Sequence, residues 1–378
     1  MKKALIATSV ASMIDQFNIP DVLLLQRLGY EVDVAANFDT PGSITNERAA
    51  DLKLRLEAMG VGVINLPIPR SVTAVGAILR SYRILKRLGR EKGYALVHCH
   101  SPIGGALVRL ALRRERKKSR VRVIYTAHGF HFYRGAPLKN KLIYYPIERF
   151  CSRFTDVLIT INREDFDTAK QRLKAGRVEY IPGVGIDTDR FFRPVDKAEK
   201  KASLGIGEKA PVILSVGELN ANKNHEAVIR AMSKLGTDVH YVVAGKGALL
   251  DGLSGLASEL GLSDRVHLLG YREDVSELYV AADLLVHMSY REGLPVSVME
   301  AMASGLPIVA SSIRGNVDLV GEDGGILVAP DDTDALAEAI GTVLANGEMR
   351  EKMGACNREA SKQYSTEKVR EMLAEIYG

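Results

Sequence analysis

Glu292 and Glu300 stand seven residues apart in the stretch Ser289-Tyr-Arg-Glu-Gly-Leu-Pro-Val-Ser-Val-Met-Glu-Ala-Met-Ala-Ser-Gly305, where an apolar run at 284–287 gives way to a helical pattern. Pro295 suits the first turn of that helix, because the N–H it lacks has no partner there. Gly293 lets backbone approach a ligand closely. With Leu294 and Val296, these residues make a loop-to-helix junction whose free N–H groups face an anion such as a diphosphate. Of the two carboxylates, one can hydrogen-bond sugar hydroxyls and the other ribose hydroxyls. The plain alternative is a capped core helix carrying two solvated glutamates.

Lys223 lies in Gly217-Glu-Leu-Asn-Ala-Asn-Lys-Asn224, after a strand-like run at 212–217. There it can meet a diphosphate as a point charge, with Gly217 and Asn222 beside it. Four histidines, His98, His100, His128 and His131, end two apolar runs. Strand alternation puts His98 and His100 on one face, and a metal site needs a further ligand that no neighbouring Cys or carboxylate supplies. Gly104-Gly105 opens a helix after the run 95–100 and offers close approach to a substrate; together with His131 it makes the candidate acceptor side. Gly245-Lys-Gly247 holds only part of a dinucleotide fingerprint. Asp165-Phe-Asp167 and Asp187-Thr-Asp189 fit helix caps and turns.

The spacing Glu292-x7-Glu300 resembles the signature of the retaining family-4 glycosyltransferases with the GT-B fold. The resemblance runs in order along nearly the whole chain, through Thr126-Ala-His-Gly-Phe-His131, Pro182-Gly-Val-Gly-Ile-Asp-Thr-Asp-Arg-Phe191, Ser215-Val-Gly-Glu-Leu-Asn-Ala-Asn-Lys-Asn224 and Val243-Ala-Gly-Lys-Gly247. It is strongest towards the branch that builds bacterial exopolysaccharide or capsule repeats on lipid carriers. The resemblance implies transfer from a UDP-sugar, with Glu292 and His128 at the transferred sugar. Gly217, Asn222, Lys223, the 293–296 backbone and Glu300 would hold the donor. Tyr271 and Arg272, in the loop after the run 266–269, would lie near the base. It further implies a lipid-linked saccharide acceptor and no protein-bound metal or other cofactor. Glu218 stands where the family usually has a phosphate-binding Arg, so Lys223 acts alone or with Asn220 or Asn222. An epimerase, an inverting GT-B transferase and a binding module without turnover stay open beside this reading.

Elements able to position these residues are visible as alternation. Short β-rich runs at 3–9, 31–36, 61–66, 95–100, 122–128, 156–161 and 178–181 are separated by helical patterns, such as Val75, Ile78, Leu79, Tyr82 and Leu85. A second set, at 212–217, 239–244, 266–269, 284–287, 307–311 and 326–328, follows a break at 182–211 marked by Pro182, Gly183, Gly185, Pro194 and Pro211. The expected fold is α/β: two Rossmann-like domains facing each other across a cleft, 1–182 and 183–360, with residues 361–378 crossing back as helix to the first.

Composition narrows the classes further. Hydrophobic residues at 46% and charged residues at 26% are those of a globular chain. Trp is absent and aromatics are sparse, which argues against stacked bases and hence against a nucleic-acid partner. Cys99, Cys151 and Cys356 are odd in number and widely spaced, so the chain reads as a protein of a reducing compartment. The apolar run at 4–10 fits a first strand better than a leader, because Asp15 follows at once. Residues 1–182 carry 31 Lys and Arg against 16 Asp and Glu, and the rest 20 against 30. The basic half, with Arg80, Arg83, Lys86, Arg87 and the cluster Arg109, Arg113, Arg114, Arg116, Lys117, Lys118, Arg120 and Arg122, reads either as solvated helix faces or as a surface for an anionic partner: a phosphate-bearing acceptor, nucleic acid as the least favoured, or an anionic membrane surface, at about 1 kcal/mol per residue close to it. The expected location is the cytoplasmic side, peripheral on the membrane.

Overall fold

In a computed structural model, residues 1–69, 73–192 and 195–378 are described; Pro194 of the expected linker lies outside them. The chain forms two compact units, Met1–Val184 with Val369–Gly378, and Gly185–Lys368. Residues 361–368 therefore stay with the second unit. The reason is visible in a parallel bridge from Ile186 to Ser365, in which Ile186 N–H donates to the Tyr364 carbonyl and Thr366 N–H to that of Ile186.

The first unit holds seven parallel strands: β1 (Lys2–Ala7), β2 (Tyr30–Ala36), β3 (Gly62–Asn65), β4 (Tyr94–His100), β5 (Arg122–Ala127), β6 (Val157–Thr160) and β7 (Arg177–Tyr180), in the order 3-2-1-4-5-6-7. The second holds six: β8 (Val212–Val216), β9 (His240–Ala244), β10 (Val266–Leu268), β11 (Leu284–His287), β12 (Ile308–Ser311) and β13 (Gly325–Val328), in the order 10-9-8-11-12-13. Every expected run is a strand. Because helices cover both faces, central strands such as β6, β11 and β12 are buried at every residue rather than alternating. Each sheet reverses its winding once, between β1 and β4 and between β8 and β11. The loops leaving those four strands open a crevice at the carboxyl edge of each sheet.

The last helix, Thr366–Tyr377, adds Val369, Leu373, Ile376 and Tyr377 to the core of the first unit, against residues such as Ile6, Ile14 and Leu96. The expected basic cluster is corrected at Arg109, which is wholly buried. Its guanidinium makes a two-point pair with Glu148 at 2.9 and 3.0 Å, donates from Nε to the Gly105 carbonyl, and lies 3.9 Å from the centre of the Tyr125 ring. Gly105 faces the same ring: a Cβ there would come within 2.5 Å of it, so this glycine serves packing rather than a substrate. Among the described residues no helix is long and apolar enough to cross a membrane.

A buried ion pair is most sensitive to losing one partner, since the other is left as an unpaired charge. Glu148→Ala is expected to destabilise the first unit by about 3–5 kcal/mol, measured as the shift of its unfolding midpoint in urea.

Candidate functional site

In the second unit, the loops after β8 and β11 carry the residues singled out from the sequence, and they are laced together. Asn222 accepts from Tyr290 N–H through its carbonyl and donates from its side chain to the Arg291 carbonyl at 3.0 Å. That pairing fixes the two loops side by side, and Lys223 Nζ then reaches Glu292 Oε1 at 2.6 Å. His287, the last residue of β11, brings its Nε2 to 3.4 Å from the same oxygen. Burial alone would raise the Glu292 carboxyl, but the His287 hydrogen bond and the Lys223 charge outweigh it and hold the group down to about 2. Glu292 is thus a fixed anion at neutral pH.

Two close approaches explain the glycines around it. A Cβ on Gly245 would lie 1.8 Å from the Gly217 carbonyl oxygen, and one on Gly247 would lie 2.2 Å from that of Leu219. Gly245-Lys-Gly247 is therefore the backing of the β8 loop. Gly315, at φ +86°, would carry a Cβ 2.6 Å from the Gly293 carbonyl, so it seats the loop before the helix. Arg314 Nε donates to the Glu292 carbonyl at 3.1 Å. Helix Val296–Ala303 begins one residue later than expected, with Pro295 in extended conformation as its N-cap and Leu294 buried beneath.

Glu300, one turn into that helix, has a different environment. Tyr279 OH donates to its Oε2 at 3.0 Å and also to the Ser297 carbonyl. Burial pushes the carboxyl up, and the Tyr279 bond and the Arg190 charge only partly offset it, leaving it at about 7. The two glutamates of the motif thus differ in charge near neutrality. After β10, Gly270 bridges Gly245, and Tyr271 projects into solvent with Lys246 Nζ 5.6 Å from its ring centre. Arg272 turns back onto Asp274, at 2.7 Å from Nε, and Asp274 also takes Lys200. Its charge is spent on that knot. Glu218, at the departure from the family pattern, accepts from Asn220.

The first unit gathers the histidines. His100 Nδ1 lies 3.1 Å from His128 Nε2, and His100 Nε2 lies 3.2 Å from Asn18 Nδ2, which also donates to Asp21 Oδ2 at 2.8 Å. His98 joins Tyr377 OH at 2.7 Å through Nδ1 and Thr126 Oγ1 at 2.8 Å through Nε2. Burial lowers all three rings, His98 to about 3 and His128 to about 4, so they are neutral. The expectation that no carboxylate joins these histidines is corrected, since Asp21 comes within 4.8 Å of His98 and His100, the spacing of a metal site. The ring nitrogens of both histidines are, however, taken by protein hydrogen bonds. Asp21 itself is raised by burial to about 7, against the Asn18 bond and the Arg370 charge. His131 sits apart, 4.5 Å from the Tyr144 ring. Gly104 faces Ser9 and Ser101, whose hydroxyls meet at 2.6 Å. Ser101 has a positive φ of 64°, a strained backbone at the winding reversal. Sequence reasoning missed Asn18, Asp21, Tyr279, His287 and Arg314; the one local signal was a carboxylate, Asp21, inside an apolar helical stretch.

Comparison with known proteins shows the family and the fold of the chain. Residues 22–183 match the family described as "Glycosyl transferase 4-like domain", and 196–360 match "Glycosyl transferases group 1". EpsD of Bacillus subtilis (strain 168), which carries the name of a glycosyltransferase, is 35% identical over 383 residues, covering 100% of this chain and 96% of that protein. The Escherichia coli UDP-Gal:alpha-D-GlcNAc-diphosphoundecaprenol alpha-1,3-galactosyltransferase is 31% identical, covering 70% of this chain and 69% of its own. The crystal structure of Anabaena HepE in complex with UDP superposes with a TM-score of 0.78 at 19% identity, covering 99% of both chains.

Proposed function

From the premise that the chain belongs to the family-4 glycosyltransferases of GT-B fold, of the exopolysaccharide type, we propose that it moves a hexose or N-acetylhexosamine from a UDP-sugar to a saccharide on polyprenyl diphosphate, with retention. The observation that carries this reading is the Lys223–Glu292 pair beside the start of helix Val296–Ala303. The E. coli relative, named for a diphosphoundecaprenol substrate, supports the lipid-linked acceptor, and the UDP of the HepE crystal supports the donor.

In this reading the donor diphosphate displaces Glu292 from Lys223 and lies against the backbone at Gly293, Leu294 and Val296, with Gly217 and Asn222 shaping the opposite loop. Lys223 and the helix start stabilise the charge that develops on the departing UDP. The bond from the sugar's anomeric carbon to phosphate breaks while the bond to the acceptor oxygen forms on the same face. The acceptor proton passes to the leaving phosphate oxygen, so the protein supplies charge stabilisation and positioning rather than a base. Glu292, released, accepts from sugar hydroxyls, and His128 is the residue of the first unit assigned to the transferred sugar. Glu300 accepts from the ribose hydroxyls and Tyr271 lines the base. No resident metal enters these steps.

A membrane surface is the proposed setting. Helix Leu138–Cys151 exposes Leu138 at 71%, Leu142 at 67% and Phe150 at 49%, together with Ile143 and Ile147, and Lys139, Lys141, Arg149 and Arg153 flank them. An apolar stripe edged by cations matches the interface of an anionic leaflet, with the chain at the cytoplasmic face.

Three outcomes test the reading. Incubation with UDP-sugars and polyprenyl-diphosphate-linked saccharides is expected to yield a product whose anomeric configuration, by NMR, equals that of the donor; inversion removes the retaining mechanism. Donor affinity, titrated without acceptor, is expected to rise with pH through about 7 as Glu300 ionises; Glu300→Gln flattens that rise and weakens binding at pH 8 by about tenfold. Co-sedimentation with phosphatidylglycerol vesicles is expected to drop sharply in Leu142→Asp, with donor affinity unchanged.

A further inference from the structure

We propose that Asp21, Asn18 and His100 form a hydrogen-bond chain of fixed polarity that holds the His128 ring as its Nδ1–H tautomer, and that these three are positioning residues for transfer. The proposal rests on the reading that His128 meets the transferred sugar.

The polarity follows from counting protons. Asn18 Nδ2 carries two hydrogens, and the two atoms it touches are Asp21 Oδ2 and His100 Nε2. An amide nitrogen has no lone pair to offer, so His100 Nε2 is the acceptor. A neutral imidazole with an accepting Nε2 bears its proton on Nδ1. His100 Nδ1 therefore donates to His128 Nε2, which in turn must accept. The single proton of His128 is left on Nδ1, a nitrogen with no partner among the described residues. One group thus dictates the next, from a buried carboxylate to a half-buried imidazole three hydrogen bonds away.

The opposite polarity has a definite cost. Turning the Asn18 amide over would place its NH2 where Oδ1 now stands, and Oδ1 is buried without a partner. Two orphaned N–H donors are worse than one orphaned carbonyl oxygen, which retains its lone pairs unpolarised. His98 does not compete for either end of the chain, since Tyr377 and Thr126 occupy both its nitrogens. His128 then faces substrate as an N–H donor, suited to a sugar hydroxyl oxygen and unable to act as a base there. Reversal would convert the same atom into an acceptor without moving it.

The test reads the tautomer directly. Long-range 1H–15N correlation on the full chain labelled at histidine distinguishes protonated from bare ring nitrogens, and His128→Gln identifies the His128 signals. The wild-type chain is expected to show Nδ1 protonated and Nε2 bare at both His100 and His128. Exchanging the first two members, Asn18→Asp with Asp21→Asn, conserves shape and charge but puts an acceptor opposite His100 Nε2, so both rings are expected to switch to Nε2–H. Transfer kcat should then fall by about 100-fold, the scale of a lost donor to the reacting sugar, with donor KM little changed. A wild-type His128 protonated at Nε2 overturns the proposal, as does a swapped chain with unchanged tautomers. If the swap fails to fold, the wild-type spectrum still decides, and His100→Leu is expected to release His128 from its single tautomer. A reversed tautomer with kcat intact leaves the chain standing and defeats instead the reading that His128 meets the sugar.

Discussion

A parallel sheet that winds in both directions from its first strand must leave a gap there, because the two connections depart to opposite faces. In this chain the rule acts twice, between β1 and β4 and between β8 and β11. Most of the residues singled out lie on or next to the carboxyl ends of those strands or of their neighbours. Lys223 follows β8, Glu292 follows β11, His100 ends β4 and His128 follows β5. The sheets supply rigidity from apolar strands covered on both faces, and the loops can then afford strain, as at Ser101.

The loops after β8 and β11 are held together by polar contacts between them. Asn222 ties one loop to the other, Gly245 and Gly315 allow backbone to meet backbone, and Lys223 and Glu292 neutralise each other. Unpaired, these two part-buried charges would each carry a desolvation cost, which their mutual attraction offsets in part. The pair also fixes both charges in place between the two loops. Glu300 is managed differently, through a tyrosine bond that leaves it near its titration point.

What the sequence disclosed follows from distance along the chain. Every strand was legible because apolar runs are local, and the helix start was legible to within one residue because a glycine, a proline and two carboxylates fall within nine residues. The side-chain alternation that put His98 and His100 on one face is likewise local. Contacts between distant segments were not. Asn18 meets His100 across 82 positions, and Arg109 meets Glu148 across 39. Read on its own helix, Arg109 belonged with the surface cations, and only the fold shows that a carboxylate waits for it inside. Glu218 illustrates the same limit, since its departure from the family pattern was evident but its bond to Asn220 needed coordinates.

The segment Val369–Tyr377 has a consequence for the order in which the chain assumes its shape. Its side chains complete the core of the first unit, and Tyr377 is bonded to His98. On the ribosome these residues are made after the whole of the second unit. Helices Ile19–Arg27 and Asn46–Ala58 already cover the same face of the first sheet with Val22, Leu25, Leu52 and Leu56, so the final helix brings the last four side chains of a core that is otherwise complete. The core of the first unit can therefore be completed only after the second unit has been synthesised.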